Sequence, residues 1–380
     1  MRTFVHLLVA VALLSGCAAP EPVADAPSTA PAKQLDDGVD KVDVPTLPRD
    51  PPKPGERSLD KAPTWRLGEF WEYTVTDGFT GTEYSTTRIV AGTDTTNYLV
   101  GFPMEKFDND ILVLHIPGFG DVAQSDLSFE VHDVVFAPLK FPLTVGDTWE
   151  TAYEGLPVTM AVEDISGRTA TITGSGSWGM TITYDADVGE MTKIDIQGYA
   201  IVELARHGYN YEGLVRVPHA HDLVFQHGRL AALLSVTGGP GGGPQAPSET
   251  VEVPTGYDHL AFTLIAGSAA NLLQNGANVP VAGGYYDEKV TAPDNTVYQL
   301  TTLPHEQTLK LAFFGSGDPT GTWTLEHMAI GPGIAMAEGI GYHSIDVELP
   351  SGCVVNSVNS GHHGASCKVD SAEVGGVTPL

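Results

Sequence analysis

Residues 178–185, with the sequence WGMTITYD, decide the fold class of this chain. Apolar residues occupy every second position, and small or polar residues lie between them. Because successive side chains of a β-strand point to opposite faces, this alternation indicates a strand with one buried face. The same pattern recurs around Trp71 and Trp323, while helical periodicity is nearly absent. We therefore predict an all-β protein built from antiparallel sheets.

Two segments of unusual composition divide the chain. Residues 18–63 contain ten prolines and no aromatic residue, which predicts a disordered tether. Residues 238–250 are rich in glycine and proline, which predicts a linker. The tether and linker leave a first β-domain at 64–237, a β-sandwich at 251–350 and a tail at 351–380. Short strands between turns predict that the first domain is a curved antiparallel sheet, a half-barrel or a barrel, because such shapes hide sheet edges.

The N-terminal residues 1–17 have the features of a lipoprotein export signal. A basic residue, Arg2, precedes a short apolar run that ends in Leu14-Ser15-Gly16-Cys17. This segment resembles the bacterial lipobox, which implies lipidation of Cys17, export and anchoring on the extracytoplasmic side of a membrane. An ordinary cleaved secretory peptide with an incidental cysteine is the alternative.

The charge of the chain restricts its partners. The sequence has 19 basic and 47 acidic residues, and its formal net charge is −28. Such a surface repels nucleic acid and anionic lipid headgroups, so we predict neither as a direct partner. The acidic surface favours solubility or the binding of divalent cations.

Cys353 and Cys367 lie in the tail and are the two cysteines that remain after Cys17. In an exported protein, a closely spaced pair in a small polar loop predicts a disulfide. A thiolate metal site that includes His362 and His363 is the alternative.

The first β-domain contains a repeated motif. Gly68 precedes Trp71 by three residues, and Gly146 precedes Trp149 by the same spacing. Together with residues 184–191, these motifs resemble a broad group of poorly characterised secreted proteins and lipoproteins. The resemblance implies a β-rich fold without a known activity. Some members of the group resemble open half-barrel lipoprotein carriers, which implies an apolar groove.

Residues 257–264, 292–296 and 318–325 of the second β-domain carry a second resemblance. They resemble the jelly-roll domains found on the C-terminal side of secreted proteases, namely the proprotein-convertase P-domain and the prepeptidase C-terminal domain. Asn295 replaces the usual glycine of a turn, and asparagine also tolerates a positive φ. The resemblance implies only a jelly-roll fold and a surface role. It does not extend to protease activity, because no protease domain precedes these residues.

Two groups of residues are candidate metal ligands. His219 and His221 are two apart on a predicted strand, and with a third ligand from His227 or His207 they can hold zinc or copper. A solvated strand face is the alternative, and we predict that no transition metal is bound. The carboxylates of a second group resemble a calcium loop without the final glutamate of an EF-hand: Asp185, Asp187 and Glu190. We predict no cofactor other than calcium there, with ordinary Asx turns as the alternative.

The sequence contains no intact catalytic motif. The G-x-G-x-x-G pattern at 174–179 lies between predicted strands, which indicates a hairpin and not a dinucleotide site. We therefore predict a non-enzymatic binding or adhesion protein whose partner is a cell-surface polymer, a protein or an apolar small molecule. The alternatives are a carrier of lipid or another apolar ligand in the first domain and, less well supported, a metal-dependent hydrolase. A hollow or a filled first domain distinguishes the carrier from the binding protein.

Overall fold

A computed structural model describes most of the chain from residue 47 onward. The described ranges are 47–78, 81–104, 118–131, 134–176, 179–197, 200–230, 248–257, 259–268, 285–302, 309–314, 319–330, 333–351, 353–355 and 365–366. Nearly all regular structure in these ranges is β-strand, which confirms the all-β prediction. Within them the chain forms no helix with the length and apolar character that a membrane crossing requires.

The first part of the chain forms a long antiparallel sheet with the strand order β3-β2-β1-β12-β11-β10-β9-β8-β7. The first and last strands of this order, β3 and β7, do not pair with each other in the described residues, so this part of the sheet is not closed into a barrel. The strands of the first part are β1 (Phe70–Asp77), β2 (Glu83–Thr93), β3 (Asn97–Pro103), β4 (Gly120–Ala123), β5 (Phe129–Val131), β6 (Val134–Phe136), β7 (Thr148–Tyr153), β8 (Leu156–Ser166), β9 (Thr169–Gly176), β10 (Met180–Asp185), β11 (Glu190–Ile196) and β12 (Ala200–Gly208).

The second part forms a β-sandwich. One layer has the order β18-β15-β20-β13, and the other has the order β14-β19-β16-β17. The strands are β13 (Gly213–Leu230), β14 (Ser248–Val253), β15 (His259–Ser268), β16 (Tyr285–Thr291), β17 (Val297–Thr302), β18 (Leu309–Phe314), β19 (Gly321–Ile330), β20 (Gly333–Leu349), β21 (Cys353–Val355) and β22 (Ala365–Ser366). Apolar side chains from both layers share one core, which includes Phe262 and Trp323.

The strand β13 joins the two parts. It lies in the region predicted as the first domain, yet it pairs along its whole length with β20 of the sandwich. It also pairs with the end of β3 through Val215 and Arg216. The hydrogen-bonded sheet therefore continues across the boundary that the composition of 238–250 predicts. Local composition marks a break in the chain, but it carries no information about strand pairing.

The alternation of the sequence explains the burial of these strands. In β1, Trp71, Tyr73 and Val75 are buried and the residues between them are partly exposed. Trp149 and Trp323 are also buried. Asn295 has a φ of +68°, as expected for the turn in which it replaces glycine.

Aromatic side chains pack together in the core of the long sheet. The segments 118–131 and 134–143 contribute buried side chains to the same core as Trp71. The ring centroids of Phe129 and Phe136 are 5.6 Å apart, and Phe136 lies 5.2 Å from Tyr153 of β7. These contacts fill part of that core with the protein's own side chains, and the apolar groove that the half-barrel resemblance implies stays a prediction.

Residues 47–63 lie against the long sheet, although their composition places them in the tether. Leu47 and Leu59 pack on the core, and the carbonyl oxygen of Leu59 accepts a hydrogen bond from the N–H of Leu143 at 2.8 Å. Arg57 is only 3% exposed. Residues 47–63 thus belong to the folded body, because this charged segment has buried partners that its own composition cannot reveal.

Candidate functional site

Glu69 lies at the centre of a buried group of charged side chains. It is in the turn before β1, and its side chain is fully buried. Its Oε2 accepts hydrogen bonds from Arg57 Nη2 at 2.6 Å and from the backbone N–H of Arg66 at 2.9 Å. Its Oε1 lies 2.8 Å from Nε2 of His207. Both carboxylate oxygens are thus occupied, as expected for a charge removed from water.

Arg57 remains charged in this environment. Burial acts to lower the pKa of its guanidinium, but the hydrogen bond and the charge of Glu69 outweigh burial, so the pKa is raised. Its Nη1 also donates to the carbonyl oxygen of Val188 at 2.5 Å. Gly189 is required beside this group: its φ is +72°, and an added Cβ would lie 2.7 Å from the Arg57 guanidinium.

A second buried ion pair lies on the same side of the long sheet. Arg88 Nη1 of β2 donates to Glu190 Oε2 of β11 at 2.7 Å, and both side chains are almost fully buried. Burial raises the pKa of Glu190, although Arg88 acts to lower it. The Arg88 guanidinium lies 5.5 Å from the ring centroid of Trp65 and 5.9 Å from that of Trp71, which are cation–π distances.

His207 connects these buried groups to the surface. Its ring lies parallel to that of Trp71, with centroids 5.7 Å apart and an interplanar angle of 3°. Tyr209 also contacts the histidine, edge to face, with ring centroids 4.9 Å apart. Since Glu69 holds one nitrogen and two aromatic rings contact the imidazole, the positions of both His207 and Tyr209 are restricted. Burial, followed by the Glu69 charge, raises the pKa of Tyr209.

A polar cleft of about 270 Å³ opens beside these residues, and we name it the Arg57 cleft. It is lined by residues 52–55 and by Arg57, Arg168, Asp187 and Tyr209. Arg168 Nε donates to Asp187 Oδ1 at 2.6 Å, and Arg168 Nη2 donates to the carbonyl oxygen of Arg57. The cleft therefore presents cationic donors, a carboxylate and an aromatic ring at one place.

The predicted calcium residues lie in the turn between β10 and β11. Asp185 Oδ1 accepts from the backbone N–H of Asp187 at 2.7 Å and of Val188 at 3.2 Å, which is an Asx turn. Asp187 pairs with Arg168, and Glu190 points into the core to reach Arg88. The structure thus gives each of the three carboxylates a protein partner, and a calcium ion here stays a prediction.

The histidines predicted as transition-metal ligands lie on β13. The backbone of β13 carries a register shift between Pro218 and Ala220, which interrupts the alternation on which the pairing of His219 with His221 depends. The side chains of these two histidines lie outside the described part of the structure. In the described residues, no three histidine, cysteine, aspartate or glutamate side chains form a group that could hold a metal ion.

His227 makes a different set of contacts. Its Nδ1 lies 2.9 Å from Glu249 Oε2, and its Nε2 lies 2.6 Å from Nδ1 of His327. His227 is on β13 of one layer, whereas Glu249 on β14 and His327 on β19 belong to the other layer. These contacts therefore link the two layers of the sandwich. Cys17 and Cys367 are outside the described residues, and of Cys353 only the backbone in β21 is described, so lipidation and the disulfide stay predictions.

Sequence reasoning missed the residues of the buried network. Arg57 lies in a segment of tether-like composition, and its partner Val188 is 131 residues away. Arg88 and Glu190 are 102 residues apart. One signal was present: Glu69 follows Gly68 directly and precedes the buried Trp71, so it lies inside an apolar motif in which a charge needs a partner.

Comparisons with known proteins reveal only remote similarity. No protein family matches the chain, and no curated protein matches it. Among solved structures, the chain is similar to PNGF-II, with 10% identity, a TM-score of 0.18, and coverage of 72% of this chain and 67% of that one. It is also similar to an exo-β-1,3-galactanase from Phanerochaete chrysosporium with β-1,3-galactotriose, with 8% identity, a TM-score of 0.17, and coverage of 68% and 65%.

Proposed function

We propose that this protein is a lipid-anchored, extracytoplasmic binding protein whose β-structured body recognises a partner at the cell surface. The N-terminal signal and the lipobox-like cysteine at position 17 support the anchor. The acidic composition supports a body that stays soluble beside anionic headgroups. This proposal concerns binding and not catalysis.

The packing of aromatic side chains in the core of the long sheet is the observation that favours binding over lipid transport. A carrier must leave room for an apolar molecule, because transfer of that molecule into the protein is what stabilises the complex. Here Phe129 and Phe136 contact each other within the buried core that includes Trp71. A partner is therefore recognised on the outside of the body.

Membrane fractionation tests the anchor. We expect the wild-type protein to stay in the membrane fraction after a high-salt wash, and we expect Cys17→Ser to release it, since a lipid attached to Cys17 is the proposed anchor. Cys353→Ser is the matched control and should stay with the membrane. Retention of the Cys17→Ser protein would refute the anchor.

Lipid analysis of the released protein tests the choice between binding protein and carrier. We expect mass spectrometry of a solvent extract of the Cys17→Ser protein to detect no lipid in molar proportion to the protein. About one lipid per chain would support a carrier instead and would refute our proposal.

A further inference from the structure

We propose that the Arg57 cleft binds one sugar unit of a surface polysaccharide. This inference rests on the proposed binding function and names the chemical class of its partner. It comes from the size of the cleft, the kinds of groups that line it, and the buried network that holds those groups in place.

The size and polarity of the cleft suit a single ring with hydroxyl groups. Its volume of about 270 Å³ is slightly smaller than the roughly 300–1,000 Å³ of sites for drug-sized molecules. Arg57, Arg168 and Asp187 contribute to its walls, and an apolar ligand would desolvate the exposed charged groups of Arg168 and Asp187. A ligand of this size must therefore offer many hydrogen-bonding groups.

The donors and acceptors in the cleft are arranged as a polyol requires. A sugar hydroxyl donates one hydrogen bond and accepts others, so it needs an acceptor and a donor close together. Asp187 and Arg168 supply this combination, because their ion pair places a carboxylate next to a guanidinium. The Asp187 side chain is 66% exposed, which leaves it accessible to a ligand.

Tyr209 supplies an apolar surface in the same cleft. Its ring is partly buried and lines the cleft. The C–H face of a pyranose ring is apolar and packs on an aromatic side chain, while its hydroxyl groups stay free for polar partners. An inorganic anion would make no use of this ring.

The charge balance of the cleft favours a neutral ligand over a phosphate. Arg57 is paired with Glu69, and Arg168 is paired with Asp187. The two arginines are thus already neutralised, and Lys53 adds an exposed cation at the rim. Phosphate sites need cationic groups or N–H donors that are free to meet the anion.

The buried network pre-organises the cleft. Arg57 is held by Glu69 and Val188, and Tyr209 is held by His207, which is itself fixed by Glu69. Groups that are already held in place lose little conformational entropy when a ligand binds. Burial of these ions carries a desolvation penalty that lowers the stability of the fold. A role in holding the binding site rigid explains why the buried ions are present despite this penalty.

Saturation-transfer NMR with defined oligosaccharides tests the inference. The probes are the neutral oligosaccharides maltotriose, cellotriose and chitotriose, with inorganic phosphate as a further probe, and the protein is the full chain in detergent. We expect transfer to at least one oligosaccharide. We expect Asp187→Asn to weaken that binding about tenfold, as for a lost hydrogen bond to a charged group, and Tyr209→Leu also to weaken it.

Glu203→Gln is the matched control, because Glu203 forms an exposed ion pair with Lys193 on the same sheet, outside the cleft. This variant should bind as the wild type does. No transfer to any oligosaccharide, transfer that is unchanged by both cleft variants, or binding of phosphate alone would each overturn the inference. An oligosaccharide that binds and is cleaved would support the sugar site and would refute the non-enzymatic proposal, so the two failures are distinguishable.

Discussion

The two Gly-x-x-Trp segments fold in the same way locally but differ in what surrounds them. Gly68 and Gly146 have φ values of +77° and +91°, and each donates its N–H to a valine carbonyl of the following hairpin at 2.9 Å. That valine, Val90 or Val162, donates back to the residue after the glycine. A register shift follows directly after each valine. Six residues of similar sequence thus specify a turn, a buried tryptophan and the start of a hairpin.

The carboxylate that follows the glycine has a different environment in the two segments. Glu69 is fully buried and contacts Arg57 and His207. Asp147, at the equivalent position, is exposed. The local motif therefore determines the backbone, while distant parts of the chain determine whether its carboxylate becomes part of an ionic network.

Removal of the charge at the two positions should separate these roles. We expect Glu69→Gln to lower the free energy of unfolding by about 3–5 kcal/mol, because it leaves Arg57 buried without its counter-charge. We expect Asp147→Asn to change it by less than about 0.5 kcal/mol, as is usual for an exposed side chain. Urea denaturation at neutral pH measures both.

A double variant keeps this test informative if Glu69→Gln does not fold. Adding Arg57→Met removes the unpaired cation and should restore part of the lost stability, because an apolar residue replaces a buried charge. Equal effects of Glu69→Gln and Asp147→Asn would contradict the contrast between the two segments.

The sandwich provides a buried carboxylate that contrasts with Glu69. Glu288 of β16 is fully buried, and neither of its carboxylate oxygens has a hydrogen-bond partner in the described residues. Burial, with a smaller contribution from the charge of Asp287, raises its pKa to about 9. Because its pKa is about 9, this side chain is neutral at pH 7.

The raised pKa of Glu288 predicts a pH-dependent stability. In the unfolded chain Glu288 ionises near pH 4.5, whereas in the folded chain it ionises near pH 9. The stability that the protonated side chain contributes to the folded state is therefore fully present below pH 4.5 and is lost as pH rises towards 9. We expect the gain in unfolding free energy from Glu288→Gln to be near zero at pH 4 and about 3 kcal/mol at pH 7. Glu83→Gln, at an exposed position of β2, is the control. A gain at Glu288 that does not change with pH would contradict the prediction.

The features that the sequence predicted are those that depend on neighbouring residues. Alternation identified β1 and β19, because burial of every second side chain is a property of a single strand. The positive φ of Asn295 followed from the turn chemistry of one short segment. The all-β class is therefore readable without any knowledge of strand pairing.

The features that it did not predict depend on residues far apart in the chain. The pairing of β13 with β20 places strands from the two predicted domains in one layer, and nothing within either strand specifies that partner. Arg57 was assigned to a tether because its segment is rich in proline and charge. Glu190 was assigned to a calcium loop because its spacing from Asp185 is suitable, but in the structure Arg88 of β2 is its partner.

The glycines of the two turns give the finest test of the comparison. Both have a positive φ, so alanine is strained at each position and should cost about 1 kcal/mol. At Gly68, an added Cβ would also lie 3.1 Å from the backbone nitrogen of Tyr211, whereas at Gly146 no atom lies within 4 Å. We therefore expect Gly68→Ala to cost about 2 kcal/mol and Gly146→Ala about 1 kcal/mol in urea denaturation. The difference between the two losses of stability measures how closely the rest of the protein packs on the first turn. Equal losses would mean that the backbone at Tyr211 moves away from the added Cβ at no cost in free energy.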